Sequence, residues 1–249
     1  MSLPNAEITK TSTASEIVTR DHRTADIFRK YGIEYCCGGR WPLETVCMMK
    51  GLDFDILKND LEKVSRPMMI SHPLSFETWR LDFLTNYIVN VHHYYLKSSL
   101  PGLNIELKEF SEEHRSKYAN MVLAYDLLEE LNKEMVPHMD QEEDVIFPYI
   151  CRIEHAHQNK DAYATLLVKT LRKPLEVTMQ KDKELVSKFT SRMRALTNGY
   201  TPPEKACVSH KVVCSKLKEL YTDLNQHVYL ESDILFPRAL QIEKELLNL

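Results

Sequence analysis

Glycine is scarce in this chain, with 6 residues in 249, and proline is limited to 11. Neither count suits a protein made of many tight turns. Frequent Leu, Glu and Lys point to helix instead. Basic residues are not in excess: the formal net charge is −4, so no positive field advertises nucleic acid or an anionic membrane as a partner. No apolar run is long enough to cross a bilayer. The opening residues, MSLPNAEITKTST, have neither the basic start nor the apolar stretch of a signal peptide, which makes the cytosol the expected compartment. Six cysteines (Cys36, Cys37, Cys47, Cys151, Cys207 and Cys214) show no disulfide framework, and a cytosolic chain keeps them reduced.

What the chain does have is a duplicated pattern, His-x-x-x-Glu-x-Asp-x-x-Phe-Pro. The first copy is His138, Glu142, Asp144, Phe147 and Pro148; the second is His227, Glu231, Asp233, Phe236 and Pro237. Each sets an imidazole and a carboxylate four residues apart, on one face of a helix. Two such helices packed face to face present two His and two Glu to one interior point, which is how a bundle core builds a metal site. Apolar residues carry the pattern inward. Val213, Leu217, Leu220, Leu224, His227, Glu231 and Ile234 step by threes and fours, as do Leu123, Leu127, Leu131, Glu134, His138, Glu142 and Val145. A carboxylate on a core stripe is costly unless a cation compensates it. Mixed imidazole and carboxylate ligation suits iron, manganese or zinc.

The segment order is legible too. Residues 1–66 read as a small domain of short helices, with Asp21 capping the stretch Thr24 to Tyr31, a turn at 36–39, and helices over Trp41 to Lys50 and Asp53 to Val64. This block looks too short to hold much core of its own. Residues 67–73 read as a linker. Residues 74–249 read as four long helices: Leu74 to Leu100 with an extension to Phe110, Ser111 to Ile153, Pro174 to Asn198-Gly199, and Pro203 to Leu247. A lysine-rich excursion falls at Lys160 to Arg172. Short joins between long helices imply an up-down bundle. Helix one offers His92 and His93. Neighbouring residues point about 100° apart on an α-helix, so one of them is expected to face the core, and the periodicity does not separate them.

On these residues the chain resembles the repair-of-iron-centres family, hemerythrin-like di-iron proteins with a small N-terminal Cys-Cys-Gly-Gly domain. The N-terminal likeness rests on Asp26-Ile27-Phe28-Arg29-Lys30-Tyr31-Gly32 and Tyr35-Cys36-Cys37-Gly38-Gly39. The C-terminal likeness rests on the two His-Glu motifs, Thr201-Pro202-Pro203 and Leu235-Phe236-Pro237-Arg238-Ala239-Leu240.

The resemblance implies an all-α fold, a hemerythrin-like up-down four-helix bundle with a small helical N-terminal domain. It also implies non-haem iron, two ions held by His93, His138, Glu142, His227 and Glu231, with Glu142 and Glu231 bridging and Glu134 close by. The family's helix-three histidine falls on Lys183 here, with Asp182 the next candidate ligand and His92 a further one. Lysine must lose a proton before it binds iron, so one of the two positions is expected to be weakened or empty. Cys36 and Cys37 are implied as a redox or iron-transfer pair.

The function implied is defence against nitrosative and oxidative stress by repair of damaged iron–sulfur proteins, through iron donation or handling of NO or O2. The chain would act as a monomer or homodimer, and nothing marks a catalytic turnover. The alternatives are an O2 or NO carrier or sensor, and a bundle whose degraded site serves interaction alone.

Overall fold

A computed structural model describes residues 7–36, 39–66 and 74–247. Cys37 and the expected linker, 67–73, lie outside the described residues. Helices account for every regular element among those described, and no strand is present. None of these helices is long and apolar enough to cross a membrane.

The chain forms two compact units, residues 1–72 with 200–217, and residues 73–199 with 218–249. In the first, four short helices are α1 (Ala14–Arg20), α2 (Thr24–Lys30), α3 (Leu43–Lys50) and α4 (Phe54–Ser65). Thr13 and Glu16 start α1 with a reciprocal capping box. Asp53 caps α4, accepting from the N–H groups of Asp55 and Ile56. Asp21 is not the cap of α2. Its carboxylate accepts from the Arg23 N–H two residues on, while Arg23 occupies the cap position. Gly51, at φ 65°, stops α3 in the left-handed conformation that glycine adopts without strain.

The expectation of a meagre core here is corrected. Ala25, Phe28, Leu43, Leu57 and Leu61 are fully buried, and Val212, from the distant segment 200–217, completes their cluster. The extra segment supplies apolar surface that 14–64 lacks, which a reading by sequence neighbours alone cannot see.

The second unit is built from four rods. The first comprises α5 (Leu81–Tyr87), a π-helical turn (Ile88–His93) and α6 (Tyr94–Glu113). The second comprises α7 (Ala119–Gln141), a π turn (Glu142–Ile146) and α8 (Phe147–Gln158), and a short α9 (Ala164–Leu171) follows. The third is α10 (Leu175–Leu196), with Pro174 at its cap position. The fourth comprises α11 (Val208–Tyr229) from residue 218 onward, a π turn (Leu230–Leu235) and α12 (Phe236–Leu247). α6 packs on α7, α7 on α10, and α5 and α12 on α8, the neighbour relations of an up-down bundle.

The last rod follows its predicted stripe: Val213, Leu217, Leu220, Leu224, His227, Glu231 and Ile234 are all buried. The second does not. Leu123, Glu134 and Val145 are exposed, and the buried line runs through Met121, Ala124, Leu128, Leu131, Met135, Met139, Glu142 and Ile146. The π turn at 142–146 holds more residues per turn than an α-helix, so a stripe counted at 3.6 residues misplaces Val145 within it.

Candidate metal centre

Three of the four rods carry a π turn, and each π turn contains or adjoins a residue of the predicted site. His93 closes the first, Glu142 opens the second one turn after His138, and Glu231 lies in the third one turn after His227. π turns recur at functional sites because the extra residue re-aims side chains. The third rod, α10, which has no π turn, brings Asp182 inward.

These six side chains form two sets with a common member. In the first, ligand atoms of His93, Glu142, His227 and Glu231 converge within 4.8 Å of one another, all four buried. In the second, those of His138, Glu142 and Asp182 do the same. His93 Nε2 stands 3.1 Å from His227 Nε2 and 3.5 Å from Glu142 Oε2, and His227 Nε2 is 2.8 Å from Glu231 Oε1. His138 Nε2 is 3.2 Å from Glu142 Oε1 and 2.8 Å from Asp182 Oδ1. The two oxygens of Glu142 therefore face different sets.

Proximity here does not mean satisfaction. Both oxygens of Glu142, both of Asp182, Glu231 Oε2 and His138 Nε2 are buried without an aligned hydrogen bond. Buried polar atoms are rarely left so, and carboxylates aimed at a shared point rather than at donors fit a cation between them.

The electrostatics agree. Burial, with the neighbouring Glu231 charge, pushes the Glu142 carboxyl well above the usual carboxylate range, and burial raises Glu231 likewise. Burial pushes His227 down to about 4, which leaves its lone pair free to ligate. Burial works against the His138 imidazolium too, but Asp182 and Glu142 outweigh it and raise that group to about 11. Without a metal, a proton shared with carboxylates takes the cation's place at this position.

An outer layer orients the first set. A proton on His93 Nδ1 donates to Glu143 Oε1 at 2.8 Å, leaving Nε2 turned to the site. Lys97 Nζ donates to the same Glu143 oxygen at 2.9 Å and to Asp140 at 2.7 Å. Burial disfavours the Glu143 charge, but these bonds from Lys97 and His93 hold its carboxyl below the usual range. The His93 ring also stacks on Phe147, centroids 5.6 Å apart, which gives the Phe of the repeated motif a packing role.

Several predicted residues lie elsewhere. Lys183 is corrected: it is half-buried, with its ammonium turned outward to pair with Asp233 at 2.8 Å. The α10 register is one residue away from the one counted from Pro174, so Asp182 points in and Lys183 out. Glu134 is also corrected. It is exposed, on a cleft shared with Glu130, Lys188 and Phe189, one turn short of His138. His92 and His93 are both buried, against the expectation of one, because the π turn narrows the angle between them. His92 belongs to neither ligand set; its Nδ1 donates to Asp223 at 2.8 Å, and its ring lies parallel to His227 at 6.0 Å. Cys36 is half-buried in the first unit, and its neighbour Cys37 is outside the described residues.

Glu143, Lys97, Asp140 and Asp223 escaped the sequence reading. Asp223 was within reach, since it precedes His227 by one helical turn. Glu143 was not, because an α-helix would aim it 100° away from Glu142.

A four-rod helical bundle holding an interior histidine–carboxylate cluster defines a class, the bundle-core metal proteins. Residues 86–239 match the hemerythrin HHE cation binding domain, and residues 10–65 match a domain of unknown function, DUF542. The chain belongs to the hemerythrin HHE cation-binding family, whose metal is non-haem iron. Among its relatives are the iron-sulfur cluster repair proteins YtfE of Escherichia coli O81 (strain ED1a), of Escherichia coli O1:K1 and of Escherichia fergusonii. Each is 29% identical over 221 residues, covering 88% of this chain and 91% of the relative. The expected likeness to the repair-of-iron-centres family is met in both its halves.

Proposed function

We propose that this chain repairs iron–sulfur clusters as a non-haem iron protein of nitrosative and oxidative stress defence, holding iron in the two ligand sets and donating it. The observation that carries the reading is Glu142, fully buried, with neither oxygen in an aligned hydrogen bond and one facing each set. His93, Glu142, His227 and Glu231 would hold one ion, and His138, Glu142 and Asp182 the other. The name of the relatives supplies the direction of the chemistry. Damaged iron–sulfur proteins are the partners this role requires, with NO and O2 as small ligands. Reduced thiols at Cys47, Cys151 and Cys214 suit the reducing cytoplasm.

Iron bound here supplies one-electron redox chemistry and affinity for diatomic gases. The protein's share is positional. Glu143 and Lys97 fix which His93 nitrogen would meet the ion, burial keeps His227 ready to ligate, and Phe147, stacked on the His93 ring, holds that ring in place. An earlier reason to suspect a degraded site, a lysine among the ligands, is gone with Lys183 at the surface.

Anaerobic iron content per chain after reconstitution tests the proposal. About two irons are expected in the wild type and in Lys183→His alike, and none in Glu142→Ala/Glu231→Ala. A wild type that takes up no iron would sink it.

A further inference from the structure

The two ligand sets are not equivalent in their surroundings. His93, Glu142, His227 and Glu231 are each at most 1% exposed, and the first set brings four residues together. The second brings three and only one imidazole, and the His138 side chain is 18% exposed. His93 is held from behind by Glu143 and Lys97. His138 meets only the site carboxylates, at distances without hydrogen-bond alignment. The cleft bordered by Glu130, Glu134, Lys188 and Phe189 lies between α7 and α10, the two helices that carry His138 and Asp182, and its Glu134 is one turn from His138. Lys188 and Arg192 sit about Glu130, at 4.0 and 3.8 Å.

We propose that the two sets part with iron unequally: the ion between His138, Glu142 and Asp182 leaves first, by the α7–α10 side, and is the one donated, while the ion between His93, Glu142, His227 and Glu231 is retained. This rests on the reading of the chain as an iron donor. Release is ligand exchange with no change of oxidation state: the bonds from His138, Asp182 and Glu142 Oε1 to Fe(II) pass to the acceptor's ligands. Glu142 Oε2, which faces His93, would remain to hold the inner ion, so losing one would not dismantle the other set. Asp182 is the residue that sets the difference, a single carboxylate from α10 where a second imidazole would bind more firmly.

The full chain, loaded anaerobically with Fe(II) and desalted, is mixed with an excess of a chromophoric ferrous chelator and iron release is followed in time. Two phases of equal amplitude are expected from the wild type, separated by about tenfold or more in rate, the order by which supporting groups alter metal retention. Asp182→Asn should lose the fast phase and keep the slow one within about twofold, with an unchanged far-ultraviolet circular dichroism spectrum. Asp182→His should slow the fast phase severalfold, and this gain keeps the test decisive even if Asp182→Asn folds poorly. A single phase in the wild type, or a fast phase untouched by both substitutions, would overturn the inequality while leaving the bound iron, and so the proposed function, intact. Absence of any bound iron would count against that function instead.

Discussion

A single carboxylate, Glu143, shows how much of this site lies one layer behind the ligands. It takes a proton-bearing His93 nitrogen on one side and Lys97 on the other. Replacing it by Gln keeps the volume but weakens the charge-assisted bonds that orient the ring. The expected result is a loss of roughly 10–100-fold in iron affinity with little change in unfolding midpoint, read by competitive chelator titration against thermal denaturation. At the same scale, burial pushes the Cys214 thiol up to about 11. Thiolate, not thiol, is the nucleophile, so native Cys214 should resist alkylation at pH 8 and gain reactivity only as pH climbs toward 11 or the protein unfolds. The sign for stability follows. The folded state keeps its proton above the pH where the unfolded thiol ionises, so stability falls as pH rises from about 9. Peptide mapping after iodoacetamide treatment across that range checks the reactivity.

Among the elements, the start of α5 depends on a residue far away in the chain. Glu154, buried on α8, accepts from the backbone N–H of Leu81 at 2.8 Å and of Asp82 at 3.0 Å, two of the donors a helix leaves free at its first turn. Arg80, at the cap position, makes no such side-chain bond. Glu154→Ala should cost about 1–3 kcal/mol, the penalty for stranding buried donors, measured by urea denaturation. The rod it anchors carries His93, so a small loss of iron affinity should accompany it.

For the molecule as a whole, metal and stability are linked. Two glutamates and an aspartate crowded in a bundle core, most of their oxygens without an aligned hydrogen bond, oppose folding until a cation joins them. Fe(II) added anaerobically to the apoprotein should therefore raise the unfolding midpoint in a concentration-dependent way. The Glu142→Ala/Glu231→Ala variant should show no such response, and its midpoint should equal or exceed that of the wild-type apoprotein. A double variant markedly less stable than the wild-type apoprotein would show that the carboxylates serve packing rather than metal. Differential scanning calorimetry with and without Fe(II) separates these outcomes.

Helical rods, their order, and the pairing of His138 with Glu142 and His227 with Glu231 were settled by sequence alone, because residues four apart on a helix are neighbours whatever surrounds them. The phase between rods was not. His92 could not be told from His93, Glu134 was placed in the core, and Lys183 was read where Asp182 stands. Three π turns and the true register of α10 shift side chains by a residue's worth of rotation, a displacement that no local pattern records. Which carboxylate reaches the centre is decided only when four helices share one interior, where burial excludes the ammonium that solvent and Asp233 accept outside.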